Sequence, residues 1–182
     1  MKIHILSDLH IELSKFQPQP VDADVIVLAG DIDKGARGIV WARKTWPDKE
    51  IIYVPGNHEY YFSSIEEENK QMAKAGKSHG VHVLNPGEAI IQGVRFLGGV
   101  LWTDFQLFGA DRREAAMRAG QGSLTDFDVI EYKDKRFTPL DSTKLHERDL
   151  HFLTLALACR VRGLVITLEI RDAGMASAGL TC

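Results

Sequence analysis

The sequence predicts an α/β domain built on a parallel sheet, and three observations carry that expectation. Short β-branched apolar runs recur along the first sixty residues, as in Asp24–Ala29 (DVIVLA) and Glu50–Val54 (EIIYV); such runs suit strands buried on both faces. Helical or looped stretches separate them, as a parallel sheet requires. Each run ends in a polar or glycine-containing junction: Asp8-Leu9-His10, Gly30-Asp31 and Gly56-Asn57-His58. Ligands of open α/β sheets gather beyond the carboxyl ends of the strands, so three successive polar strand ends point to one functional rim.

The elements follow in order. Residues 2–7 (KIHILS) are the first strand, and residues 11–22, with Pro18 and Pro20, are a loop. The strand at 24–29 leads into residues 35–46, where Ile39, Val40, Trp41 and Trp46 among charged residues suit an amphipathic helix closed by Pro47. After the strand at 50–54, residues 61–76 are expected to be helical. Glu66-Glu67-Glu68 lie toward its start and Lys70 and Lys74 toward its end, the order favoured by the helix dipole, with Gly76 and Gly80 ending it. Residues 81–84 (VHVL), 88–92 (EAIIQ) and 94–100 (VRFLGGV) read as three short strands of an antiparallel or mixed section. Residues 105–140, with a helix near 111–119, form an excursion over the rim. Leu145, Leu150, Leu153 and Leu157 give residues 141–160 a helical pattern, and residues 164–168 a strand. One domain is expected over 1–167, followed by an atypical Ala- and Gly-rich tail over 168–182.

Bulk properties narrow the function. The chain of 182 residues suffices for one core. A net charge of -3 gives no basic excess for a nucleic-acid backbone, so nucleic acid is an unlikely partner. No apolar run reaches the roughly 18 residues of a membrane span, and there is no secretory signature. The two cysteines, Cys159 and Cys182, form no C-x-x-C pair. Together these features predict a cytoplasmic protein.

The rim residues carry the chemistry. On extended backbone the side chains of Asp8 and His10, two apart, point the same way and can reach one metal. Asp31 offers two carboxylate oxygens, enough to bridge two cations. Asn57 offers a neutral carbonyl oxygen, and His58 can give a proton or a hydrogen bond to a leaving oxygen. Each motif alone also has a plain structural reading: loop polarity for Asp8 and His10, an Asx-turn or helix cap for Asp31, a β-turn for Pro55-Gly56-Asn57. Asp33 suits the capping role better than Asp31. In combination, carboxylates, an amide oxygen and imidazoles in order suit Mn, Fe or Zn better than Ca. Asn57 and His58 are also expected to touch substrate, with Trp102 and Asp104 as further pocket candidates; the alternatives are core packing for Trp102 and a loop carboxylate for Asp104. Glu59 is expected to orient its turn rather than bind metal. His4, His79, His82, His146 and His151 read as structural or exposed, and Arg112-Arg113 as a solvated helix face. A nucleotide-binding module is disfavoured, because no G-x-G-x-x-G or G-x-x-x-x-G-K-[ST] loop follows a strand.

Asp8-Leu9-His10, Gly30-Asp31 and Gly56-Asn57-His58-Glu59 resemble the first three blocks, D-x-H, G-D and G-N-H-[DE], of the calcineurin-like metallophosphoesterase superfamily. Tyr53–Tyr61 and Phe96–Asp104 resemble a bacterial subfamily of phosphohydrolases, and the resemblance covers residues 1–167. It implies an α-β-β-α sandwich and hydrolysis of a small phosphorylated substrate by a metal-activated water. It further implies that Asp8 and His10 ligate a first metal, Asp31 bridges two, and Asn57 ligates the second. His58 is implied near the leaving group, as general acid or transition-state stabiliser.

The family's later G-H and G-H-x-H blocks are missing. After Leu164-Val165-Ile166-Thr167 the chain reads Leu168-Glu169-Ile170-Arg171-Asp172 and ends at Cys182. The expectation is a truncated or altered C-terminus and a sandwich incomplete in its second sheet. One weakly held metal is then expected where a complete relative holds two, and an impaired hydrolase follows. The alternative is a catalytically inactive metal-binding or structural remnant. Apolar surface left uncovered by the missing strands predicts a homodimer or higher self-association.

Overall fold

The structure is a computed structural model and describes residues 1–158; the strand and tail expected beyond Ala158 lie outside the described residues. The first sheet has four parallel strands in the order β1 (Ile3–Leu6), β2 (Val25–Ala29), β3 (Glu50–Val54) and β4 (His82–Val83). β2 pairs with β1 from Ile3↔Val25 to Leu6↔Leu28, and with β3 from Val25↔Glu50 to Ala29↔Val54. In β2 every residue is buried, so side chains alternate between two apolar layers rather than between core and water.

That alternation builds a four-layer sandwich. Ile26, Leu28, Ile51 and Tyr53 pack with Ile39 and Ala42 of α1 (Arg37–Thr45) and with Met72 of α2 (Ile65–His79). Val25, Val27, Ile52 and Val54 face the other way, onto Ala89, Ile91 and Phe96. The latter three belong to an antiparallel hairpin of β5 (Gly87–Ile91) and β6 (Val94–Gly98). Period-two geometry then turns Leu97 outward from Phe96, onto Leu153 and Ala156 of α5 (Pro139–Ala158). Each fully buried aliphatic side chain contributes about 1.5–3 kcal/mol, so the Val/Ile runs fix both the strand identities and the layer order.

Two local expectations shift. α2 begins at Ile65 rather than near 61, because Ser64 caps it: its Oγ accepts from Glu67 N at 3.2 Å. Gly76 lies inside the helix, where a Cβ would stand 2.7 Å from Val83 Cγ2; Gly80, at φ +63°, ends it. The three short strands expected over 81–100 divide between layers. β4 joins the first sheet parallel to β3, and only β5 and β6 are antiparallel.

Residues 105–140 fold back on the rim through α3 (Arg113–Ser123), α4 (Asp126–Val129) and a short hairpin of β7 (Glu131–Tyr132) and β8 (Lys135–Arg136). Phe127, Ile130 and Phe137 are buried, and the Phe137 ring stands 4.8 Å from Trp102. Glu131 N donates to Ser63 O at 2.9 Å. This packing brings Asp126 beside the third strand-end junction.

Candidate metal centre and active site

The first two strand ends continue side by side past the sheet. Asp8 N donates to Gly30 O, His10 N to Asp31 O and Ile11 N to Ile32 O, all at 2.9–3.0 Å. Within this run Asp8, His10 and Asp31 adopt φ of +53°, +44° and +56°. Non-glycine residues held in the left-handed region cost about 1–3 kcal/mol each and persist where surrounding structure enforces them. These strained residues carry the side chains that converge: the ligand atoms of Asp8, His10 and Asp31 lie within 4.8 Å of one another. The structure brings Asp8 and His10 together on left-handed rather than the expected extended backbone.

The third junction locks onto the second. His58 N donates to Asp31 Oδ1 at 2.9 Å. Gly56 admits the contact, because a Cβ there would lie 2.1 Å from Asp31 Oδ1. Glu59 joins the second and third junctions. Its buried carboxylate accepts from Asp31 N (3.1 Å), Ile32 N (3.0 Å), Gly56 N (2.8 Å) and Tyr53 Oη–H (2.7 Å), and so ties the two junctions together. Gly56→Ala is expected to destabilise the fold by about 1–3 kcal/mol, as overpacking does, and to weaken divalent-cation binding by displacing Asp31. Thermal unfolding and cation titration check this; wild-type values in both would refute it.

Asp31 is buried, and burial raises its carboxyl above the ordinary carboxylate range. Asp8 adds to that rise, while the His58 N–H and the His58 and His10 rings oppose it. Among the described residues no Lys or Arg pairs with Asp8 or Asp31. Two carboxylates and an imidazole drawn together without a protein cation fit a divalent metal.

The remaining candidates divide. Asn57 Nδ2 donates to Asp126 Oδ1 at 2.8 Å, and the same oxygen accepts from Tyr61 Oη–H at 2.8 Å. His58 stacks on Tyr61 with ring centroids 4.2 Å apart and meets His10 edge-on at 4.4 Å. Trp102 is buried against Tyr60 and Phe137, yet it lines a cavity of ≈ 20 Å³ with Asn57 and Asp126. That volume is on the scale of one water, too small for a phosphorylated molecule as it stands. Asp104 joins neither group: it accepts from Gln106 N at 2.9 Å and lies 4.0 Å from His146 Nε2. His146 Nδ1 lies 2.7 Å from Trp102 O, a structural contact. Asp33 pairs with Arg37 and accepts from Lys34 N rather than capping α1.

Glu12 escaped the sequence reading. Its Oε1 lies 3.3 Å from His10 Nδ1 and 3.0 Å from His58 Nδ1, and its side chain is 5% exposed. The signal available was the alternation Asp8, His10, Glu12 along one strand end.

Comparisons with known proteins agree with this geometry. The family model for calcineurin-like phosphoesterases matches residues 1–151. An uncharacterized protein, L509, of Acanthamoeba polyphaga mimivirus is 25% identical over 191 residues; the match covers 90% of this chain and 65% of the viral protein. This chain therefore spans just under two thirds of that relative. The crystal structure of phosphopantetheinyl hydrolase (PptH) from Mycobacterium tuberculosis shares the fold, with a TM-score of 0.64 at 15% identity, over 92% of this chain and 67% of that one. With 151 of its 182 residues matched and three strand ends converging on one centre, this chain belongs to the calcineurin-like phosphoesterase family.

Proposed function

We propose that this chain hydrolyses a phosphoester of a small molecule at a centre of Asp8, His10 and Asp31, with Mn, Fe or Zn as cofactor. The observation that carries the reading is the convergence of those three side chains beside His58. The metal supplies, when bound, a Lewis acid for a phosphoryl oxygen and a water of lowered pKa. Asp8, His10 and Asp31 hold the first cation. Asn57 is assigned to a second one: its amide nitrogen is engaged by Asp126, so the carboxamide oxygen is the donor it has left.

His58 is assigned the leaving group. Its backbone N–H is fixed by Asp31, one ring face is covered by Tyr61, and its Nδ1 is taken up by Glu12. Nε2 is then the ring atom able to hold or release a proton toward the departing oxygen. Such a proton donor contributes about 10²–10⁴-fold. His58→Ala should therefore lower kcat on aryl phosphate mono- or diesters by that factor while divalent-cation affinity stays near wild type. Unchanged turnover in the variant would remove His58 from this role. No metal-dependent turnover in the wild type would instead favour the inactive remnant.

A further inference from the structure

We propose that Glu12 is a positioning residue that holds His10 and His58 together in the Nδ1–H tautomer, leaving Nε2 of both rings to the reaction. The inference rests on the phosphoesterase reading of the site, and it extends that reading to a residue outside the family blocks.

A single carboxylate oxygen, Glu12 Oε1, lies within hydrogen-bond distance of Nδ1 of both rings, although His58 is 46 residues away in the chain. An ionised carboxylate only accepts hydrogen bonds, so both Nδ1 atoms must donate. The His10 and His58 rings meet edge-on at 4.4 Å, a packing that one shared acceptor can impose on both. Glu12 has no other protein side chain to serve among the described residues: its second oxygen, Oε2, is buried without a partner. Burying a charged group this way is costly. A carboxylate kept for the fold alone would be expected to use both oxygens, as Glu59 does. Carboxylates that accept from the far nitrogen of a ligating imidazole set its tautomer and its ring orientation. Here the same group does so for the ligand His10 and for His58, whose Nε2 is left to take up a proton and pass it to the leaving oxygen, and thereby couples metal binding to leaving-group chemistry.

The test is nitrogen-15 NMR of the histidine rings in the metal-free full chain at pH ~8.5, well above the ordinary imidazole pKa. The expected spectrum shows Nδ1–H rings for His10 and His58. In Glu12→Ala both should revert toward the Nε2–H form preferred by free histidine. Titration with Zn²⁺ should show affinity reduced about 10–100-fold, with Glu12→Gln, which retains an acceptor oxygen, reduced less. With Mn²⁺ supplied, aryl phosphate kcat should fall in Glu12→Ala with KM little changed. Nε2–H rings in the wild type overturn the proposal, and this outcome does not depend on any variant folding. So does a folded Glu12→Ala with unaltered tautomers and Zn²⁺ affinity. Nδ1–H rings in a wild type without turnover support the role of Glu12 and count against the hydrolase reading; Nε2–H rings in an active enzyme do the reverse.

Discussion

Asp31→Ala should abolish divalent-cation binding and lower phosphoester turnover by about 10³-fold or more, since a bound metal supplies several kcal/mol of transition-state stabilisation. Asp31 is the one buried member of the converging set, and its Oδ1 also holds the His58 backbone. Its removal therefore strips the centre of a proposed ligand and frees the loop that carries His58, the proposed proton donor. The same charge is a burden without metal: burial and Asp8 both raise its carboxyl, and Asp31 in turn raises Glu59. Metal-free Asp31→Asn, which retains an oxygen for His58 N, should then melt at or above the temperature of metal-free wild type. It should also lose the rise in melting temperature that Mn²⁺ produces. After dialysis the wild type should retain at most one cation per chain and Asp31→Ala none. An Asp31→Asn protein that melts lower yet still responds to Mn²⁺ would sink this account, and two tightly retained metals in the wild type would sink the single-metal expectation.

Glu59→Ala should be the most destabilising substitution near the site. Four donors end on this carboxylate: three backbone N–H groups from two junctions and the Tyr53 hydroxyl. Leaving a buried donor unsatisfied costs about 1–3 kcal/mol, so four approach the whole 5–15 kcal/mol stability of a domain. Loss of soluble folded protein, or a drop of many degrees in Tm, is the expected outcome. A Tm within a few degrees of wild type would show that Glu59 does not tie the junctions.

The carboxylate also makes stability depend on pH. Burial first, and then the charge of Asp31, push its pKa up from 4.5 to about 7, against the pull of its donors. A folded value above the unfolded one means that the folded chain binds this proton more tightly. The corresponding stability is complete below pH 4.5 and is lost as pH rises toward 7, by about 3 kcal/mol at the end of that window. Denaturant midpoints of metal-free protein should fall across this interval, and a midpoint that rises would reverse the sign. Glu59→Gln should flatten the dependence. It should cost stability as well, because its amide N–H₂ would face either the Asp31 and Gly56 N–H groups or the Ile32 N–H and the Tyr53 O–H.

Strand identity and the candidate ligands were legible in the chain because both are local. DVIVLA and EIIYV bury both faces in any α/β sheet, and Asp8, His10, Asp31, Asn57 and His58 stand at strand ends, where such sheets present their chemistry. The orienting role of Glu59 was legible too, from its place beside the Gly-Asn-His turn. What the chain could not show were contacts between segments distant in sequence. Glu12 meets His58 across 46 residues, and Asp126 meets Asn57 across 69. β4 reads as part of an antiparallel section until packing against β3 places it parallel in the first sheet.

The amino-acid sequence by itself determined the parallel sheet and the family, and it named the residues proposed to hold a metal, because apolar periodicity and donor chemistry are written residue by residue. Only the tertiary structure decided how those residues converge. The left-handed backbone at Asp8, His10 and Asp31 and the absence of room for a Cβ at Gly56 are imposed by neighbouring segments. So is the shared carboxylate of Glu12. A hydrogen bond or a close approach belongs to two segments at once, and no periodicity within either one encodes it.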